Sequence, residues 1–232
     1  MKATIKSQDI LLLLKLVSLR RRREKQAKLM SEAASSYEPP SDWRGWFAGD
    51  GAVDETDAEA SHAGKDADVY SVRALQAATG ISKSEVSASL RLCQQLGLTR
   101  SEAISPQLGV NTSALVEFIA HGLKYVFPAH ALPRTRGIPT AASAPVLSGK
   151  LFSPGGAVRV WPDALGNASG DGLVPLHKSV PWAARRDADL YAMLAGWQRV
   201  LADNRKRRQW PELHRKLATL FRCGRTAVVD GP

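Results

Sequence analysis

The chain has 232 residues, of which 44% are hydrophobic, so a packed core is expected rather than global disorder. It carries 32 Lys and Arg against 22 Asp and Glu, a formal net charge of +10. This balance favours polyanionic partners, above all nucleic acid, although a basic enzyme is an alternative. Cys93 and Cys223 are too few for a disulfide framework and have no metal-ligand spacing.

The N-terminal segment predicts one helix from about residue 8 to about residue 31. Ser7 is suited to cap it, and its front half is apolar nearly all round. Such a helix is buried or lies between subunits, and we expect only one of its two apolar stripes to pack on its own chain. The sequence therefore favours a homodimer. The first stripe is Ile10, Leu13, Leu14 and Val17, and the second is Leu12, Leu16 and Leu19.

The apolar run of this helix is too short for a membrane span. Lys15 interrupts it, four arginines follow at Arg20–Arg23, and no cleavage site for a signal peptide ends it. No segment approaches the roughly 18 apolar residues that a span needs. The sequence predicts a cytoplasmic protein that does not enter a membrane.

Residues 33–68 are rich in Ala, Gly, Ser, Asp and Pro and have no helical or strand period. They are the acidic part of a basic chain. We interpret them as an acidic linker or insertion.

The segment Val69–Arg100 predicts two short helices joined by a tight turn. Ser71 can cap the first helix, and Gly80 lies at the turn, where a positive φ is easy only for glycine. Ser82 and Glu85 have the spacing of a capping box at the start of the second helix. The inward stripe of that helix is predicted to be Val86, Leu90, Cys93 and Leu96, before a stop at Gly97 and a strand from Leu98.

The outward side of this helix pair predicts contacts with double-stranded DNA. Short side chains allow a close approach to a major groove, helix N-terminal amides and hydroxyls suit phosphate, and two cations add attraction. The predicted DNA-binding residues of the second helix are Ser82, Lys83, Ser84, Ser87, Ala88 and Arg91, and those of the first helix are Arg73 and Gln76.

The segment GISKSEVSASLRLCQQLGL resembles the recognition helix of winged helix-turn-helix transcriptional regulators, in particular the MarR-like group. The shared pattern is a Gly-Ile-Ser turn, a Val-Ser pair, a Leu and a closing Gly-Leu. The resemblance implies a DNA-binding regulator with a two-stranded wing. The segments available for that wing are Leu98–Arg100 and Leu108–Val110, with a tip at Ser101–Gln107.

The C-terminal part predicts a small sheet and two helices. Ala157–Trp161 and Gly172–His177 alternate like strands, and the turn signals between them favour a β-hairpin. A helix is expected from Ser179 onward. Its apolar face would be Leu190, Met193, Leu194, Trp197 and Leu201, and that of a last helix Leu213, Leu217, Leu220 and Phe221.

The predicted fold is mainly α with a small β component: a winged helix-turn-helix plus a C-terminal region with a β-hairpin and two helices. Four segments are expected. Residues 1–32 are expected to form an N-terminal helix that serves the core or dimerisation, and residues 33–68 are expected to form the acidic linker. Residues 69–124 would be the winged helix-turn-helix DNA-binding domain, and residues 125–232 a C-terminal dimerisation or sensing region.

The sequence offers no catalytic motif. No two histidines have helical ligand spacing, no G-x-S-x-G turn is present, and the glycine pairs lack a phosphate-loop Lys-Ser/Thr ending. We therefore expect no enzyme, no catalytic residues, no metal and no cofactor.

The resulting prediction is a sequence-specific, DNA-binding transcriptional regulator that acts as a dimeric repressor, with a protein partner or a small-molecule effector as a further ligand. The alternative is an antitoxin-like interaction protein. Such a protein would neutralise a toxic enzyme encoded beside it and autoregulate its own promoter.

Overall fold

The structure, a computed structural model, describes residues 4–31, 69–101, 108–147 and 157–202. It is mostly helical with a small sheet component, as predicted. The acidic linker, the wing tip, Cys223 and the predicted last helix lie outside the described residues. The helices are α1 (Ser7–Ser31), α2 (Val72–Thr79), α3 (Lys83–Gln95), α4 (Thr112–Glu117), α5 (Leu123–Val126), α6 (Val180–Arg185) and α7 (Ala188–Ala202). The strands are β1 (Thr99–Ser101), β2 (Leu108–Val110), β3 (Ala131–Pro139), β4 (Arg159–Pro162) and β5 (Ala168–Leu173).

Helix α1 is the centre of the core; it begins at Ser7, one residue before the predicted start, so Ser7 is its first residue, and it ends at Ser31, as predicted. Its apolar residues from Ile10 to Leu14, with Leu16 and Val17, are at most 1% exposed. Both stripes thus pack inside one chain, with Leu19 half-buried and the other members buried, and the expectation that only one of them packs there was wrong. The reason is that α1 is covered on several sides, by α2, α3, α7 and β2. The homodimer stays a prediction, but the apolar residues of α1 are not evidence for it, because they pack within one chain.

A buried ion pair joins α1 to the start of α7. The Nζ of Lys15 lies 2.7 Å from Oδ2 of Asp187, and the two side chains are only 5% and 2% exposed. The Ser18 hydroxyl donates to the same carboxylate oxygen at 2.6 Å. The other oxygen of Asp187 accepts the backbone N–H of Leu190 at 3.0 Å, as a helix N-cap does. The Asp187 carboxylate therefore has two roles: one oxygen caps α7, and the other neutralises the buried Lys15 ammonium.

The pKa of Asp187 reflects two opposing effects. Burial alone would raise it, but the Lys15 charge and hydrogen bonds from Lys15, Ser18 and the Leu190 N–H hold the pKa below its ordinary value. The carboxylate is therefore ionised in the folded protein at neutral pH.

A second polar contact joins the front of α1 to α3. One oxygen of Asp9 accepts from the Ser89 hydroxyl, and the other accepts from the backbone N–H of Lys6 at 2.6 Å. Asp9 and Ser89 are both buried. The helix pair is thus positioned on α1 by a specific hydrogen bond as well as by apolar packing.

The two strands proposed for a wing pair with each other. β1 and β2 are antiparallel, with Thr99 opposite Val110 and Ser101 opposite Leu108. β1 follows α3 after Gly97, one residue later than predicted. Helix α4, a five-residue π-helical segment at Phe118–Gly122, and α5 then continue the chain to Val126.

The C-terminal sheet differs from the predicted hairpin. β4 and β5 pair in parallel, with Arg159 opposite Asp171, and each is antiparallel to β3, so that the three strands close on one another. Strand β3 was not predicted, because its two prolines and a glycine break the alternation of apolar and polar residues. The ladder shifts register between Leu132 and Arg134, at Pro133, which has no N–H to donate.

Glycine is required where these strands approach most closely. A Cβ on Gly137 would overlap the backbone of Trp161, and a Cβ on Gly170 would overlap that of Val158. The closed sheet therefore depends on positions that carry no side chain.

The helix predicted from Ser179 is two helices, α6 and α7, divided at Arg186 and Asp187. The expected apolar face of α7 is confirmed for Leu190, Met193, Leu194 and Trp197, which are all buried. The side chain of Leu201 lies outside the described part. The Tyr191 hydroxyl donates to the carbonyl of Pro139, which fixes α7 to β3. Side chains from α1, α2, α3, the sheet and α7 belong to one hydrophobic cluster, while the division into four segments stays a prediction.

The Lys15–Asp187 pair yields a stability prediction. Asp187→Asn leaves Lys15 buried without a counter-charge, and we expect a loss of about 3–5 kcal/mol in the free energy of unfolding by urea. Because the folded-state pKa of Asp187 is lowered, its stabilisation is complete above about pH 4 and disappears as the pH falls through the folded-state pKa. The wild type should thus lose more stability on acidification than the variant.

Asp189→Asn is the matched control. Asp189, which is 22% exposed, pairs with Lys25 at 2.8 Å and with Arg21 at 3.7 Å, and the side chains of these cations are 58% and 17% exposed. Partly exposed pairs contribute about 0–1 kcal/mol, so this variant should lose much less stability than Asp187→Asn. Equal, small losses from both substitutions would contradict the assigned role of Asp187.

Candidate nucleic-acid interface

The helix pair α2–α3 is defined by caps that the sequence predicts. The Ser71 hydroxyl accepts the Ala74 N–H at 3.2 Å, and α2 ends at Gly80, whose φ is +67°. At the start of α3, Ser82 and Glu85 form the predicted capping box: Ser82 Oγ accepts the Glu85 N–H, and the Glu85 carboxylate accepts the Ser82 N–H, each at 3.4 Å. Local signals therefore set both ends of the turn.

The inner side of α3 is nearly as predicted. Val86 and Cys93 are buried and Leu90 is half-buried, but Leu96 is 45% exposed. The prediction for Leu96 was wrong because α3 ends at Gln95, so the helical period does not carry its side chain inward. Ser89, which the apolar pattern did not include, is buried instead, because Asp9 supplies its hydrogen-bond partner.

Cys93 is part of this packing. Burial raises the pKa of its thiol to about 12, and the nearby Asp9 carboxylate adds to the effect. The thiol is therefore protonated and unreactive at neutral pH.

The predicted DNA-binding residues of α3 form one side of the helix, which we call the outer face. Its positions repeat at helical spacing, 83, 87 and 91 in one row and 84 and 88 in the next. Ser87 is half-buried, and the exposed members are Ser82, Lys83, Ser84, Ala88 and Arg91. Lys83 and Arg91 form no ion pair with the residues that the structure describes.

Glu85 is the acidic residue of the first turn of α3. Hydrogen bonds from the side chain and the backbone of Ser82 lower its pKa, and the nearby His177 and Lys178 act in the same direction. The carboxylate is thus ionised but engaged in the cap.

The two predicted residues of α2 differ in their surroundings. Arg73 is exposed, and nothing in the described part of the chain pairs with it. Gln76 is half-buried and lies in a groove beside the turn, together with Ser82. The structure therefore brings Gln76 to the beginning of the outer face, next to Ser82.

Helix α6 lies against the turn, which the sequence analysis did not predict. A Cβ placed on Gly80 would be 3.3 Å from Ser179 Cβ and 3.5 Å from the ring of Trp182. Trp182 and Arg186 line the same groove as Gln76 and Ser82. Trp182 and Arg186 are placed by packing against a turn that lies about 100 residues earlier in the sequence. The run Trp-Ala-Ala-Arg-Arg contains no motif that predicts this contact.

His177 and Lys178 precede α6, next to Ser179, whose Cβ lies 3.3 Å from the position that a Cβ on Gly80 would take at the turn. Burial lowers the pKa of His177, and Lys178 lowers it further, although Glu85 opposes the change. The imidazole Nδ1 is within 2.7 Å of the Ser179 hydroxyl. His177 is thus a mostly neutral, structural group at neutral pH, whereas Lys178 is an exposed cation.

No group of three His, Cys, Asp or Glu residues in the described part of the chain is arranged to hold a metal ion. None of the helices there combines the length and the apolar character that a membrane crossing needs. Comparisons of the chain with protein-family models, curated proteins and solved structures find no match.

The turn at Gly80 yields a matched pair of substitutions. Gly80 and Gly97 have nearly the same φ, +67° and +68°, but an added Cβ meets Ser179 and Trp182 only at Gly80. Each glycine-to-alanine change should cost about 1–2 kcal/mol for the left-handed backbone. We expect Gly80→Ala to lower the free energy of unfolding by more than Gly97→Ala. Urea unfolding of both variants measures the difference, and a larger loss at Gly97 would contradict the packing of α6 on the turn.

Proposed function

We propose that the protein is a sequence-specific, DNA-binding transcriptional regulator of the winged helix-turn-helix type, which acts as a dimeric repressor. The observation that carries the proposal is the division of α3 into two sides. Val86, Ser89 and Cys93 are buried against the core, while the outer face consists of short polar side chains with two cations.

The chemistry of this face suits a DNA duplex. Serine and alanine side chains are short enough to let a helix backbone approach base edges, and hydroxyls can donate to phosphates or bases. Lys83 and Arg91, at opposite ends of the face, would attract the phosphate backbone. The antiparallel β1–β2 pair that follows α3 has the location expected of a wing.

The dimer is the part of the proposal that follows from DNA geometry. A single helix reads only a few base pairs, so two copies on one duplex gain affinity and specificity when their α3 helices lie about 34 Å apart. The expected binding site is therefore a palindrome with half-sites one helical turn apart.

A second candidate function is the antitoxin-like interaction protein. Leu132 and Val158 are partly exposed, and both lie over glycines of β5, next to Gly172 and Gly170. Partly exposed apolar side chains such as these would offer a protein partner an apolar contact. Co-purification with the product of a neighbouring gene, lost in a Leu132→Lys variant, would support this function. DNA binding alone does not exclude it, since one chain can do both.

The outer face yields a prediction on DNA binding. Selection from a random duplex library with the full chain should recover a palindromic sequence. Lys83→Ala and Arg91→Ala should each weaken binding to that sequence by about 1–3 kcal/mol, because each removes a contact to phosphate or base. Fluorescence anisotropy with a labelled duplex measures the loss.

Gln95→Ala is the control on the same helix. Gln95 is exposed, carries no charge and lies one turn beyond Arg91 at the end of α3, so its substitution should change the affinity much less than either cation substitution. If no sequence is enriched, or if all three variants bind like the wild type, α3 is not the DNA-reading helix.

A further inference from the structure

A groove lies between the turn of the helix pair and α6. It has a volume of about 610 Å³, and it reaches the beginning of α3 at Ser82. Its walls come from parts of the chain that are about 100 residues apart in sequence. They are Gln76, Ala77, Gly80, Ile81 and Ser82 on one side, and Trp182 and Arg186 on the other.

Arg186 is the cation of this groove. It is exposed, and its guanidinium carbon lies 3.9 Å from the centroid of the Trp182 ring. Stacking on an indole orients a planar guanidinium and leaves its N–H groups available to an anion. The neighbouring Arg185 is different, because it is buried and paired with Asp163. No carboxylate in the described part of the chain pairs with Arg186.

Lys178 adds a second cation beside the groove. It is exposed, and it directly precedes Ser179, whose Cβ lies 3.3 Å from the position that a Cβ on Gly80 would take. Lys83 follows the N-cap of α3. Glu85, the carboxylate of the first turn of α3, is already bonded to Ser82.

We propose that Arg186 and Lys178 bind backbone phosphates of the duplex whose major groove α3 enters. The α6 segment would then be part of the DNA interface, beside the helix pair. The proposal rests on the proposed function. Phosphate is the matching ligand because a guanidinium held flat on a ring presents paired N–H donors to two phosphate oxygens, independently of base sequence.

Salt dependence tests this assignment directly. The probe is a labelled 30-base-pair duplex of mixed sequence, titrated with the full chain by anisotropy at about 50–200 mM salt. Each lost phosphate contact lowers the slope of log affinity against log salt by about 0.9. For Arg186→Ala and for Lys178→Ala, the ratio of affinities between the two salt concentrations should therefore shrink by about threefold. Arg186→Lys keeps the charge, so its slope should stay close to that of the wild type.

Lys124→Ala is the matched control. Lys124 also lies over an aromatic ring, 4.8 Å from the centroid of Tyr125, but it is outside the groove. Its substitution should leave the slope unchanged. Thermal unfolding of every variant should match the wild type, since both tested cations are exposed.

The outcomes separate this inference from the proposed function. If the wild type binds, and Lys83→Ala and Arg91→Ala weaken binding while Arg186→Ala and Lys178→Ala leave the slope unchanged, only the inference fails. The groove would then take a ligand other than DNA. An equal loss of slope in Lys124→Ala would also overturn it, because general charge would explain the effect. If the wild type binds no duplex, both proposals fail.

Discussion

The structure depends on the burial of an apolar helix that is fixed at two polar points. Asp9 bonds Ser89 of α3, and Lys15 bonds Asp187 at the start of α7. The two points are roughly 9 Å apart along α1, at about 1.5 Å per residue. Apolar side chains between and around them supply the area that drives packing. Apolar area alone does not determine how α1 is rotated or shifted along its axis in the core. The two polar contacts select one such register.

The register matters because the front of α1 is leucine nearly all round. A helix of this kind can turn or slide by one residue and still bury a similar area, so packing alone specifies its position weakly. A carboxylate that must meet a hydroxyl or an ammonium inside the core permits few positions, since a buried charge without its partner is costly. We interpret Asp9 and Lys15 as the residues that select one position of α1.

Local signals in the sequence were sufficient for the helix pair, and long-range contacts were not. Ser71, Gly80 and the Ser82–Glu85 box act on neighbours within a few residues, so their outcome follows from spacing alone. The burial of Ser89 depends on Asp9, 80 residues earlier, and no periodicity shows it. Strand β3 was missed for a related reason, because its pairing partners, and not its own alternation, make it a strand.

Lys15 illustrates the difference between these two kinds of information. In the sequence it interrupts an apolar run and argues against a signal peptide. In the fold it is 4% exposed and is the partner of Asp187. The sequence shows that residue 15 is a lysine. It does not show that the lysine is buried, because its partner is the Asp187 carboxylate, 172 residues later in the chain.

The candidate interface combines parts that α1 holds in a common frame. α3 is fixed to α1 through Ser89, and Asp187, which directly follows Arg186, is fixed to it through Lys15. The spacing between the outer face of α3 and Arg186 is therefore set through the core, and not only by the contact of Trp182 with Gly80. A surface that must match the fixed geometry of a duplex needs such rigidity, because phosphates offset by a few ångströms cannot all be bonded at once. The buried polar contacts of α1 thus set the spacing between α3 and Arg186. The exposed cations beside α3 would meet the phosphates of a duplex at that spacing.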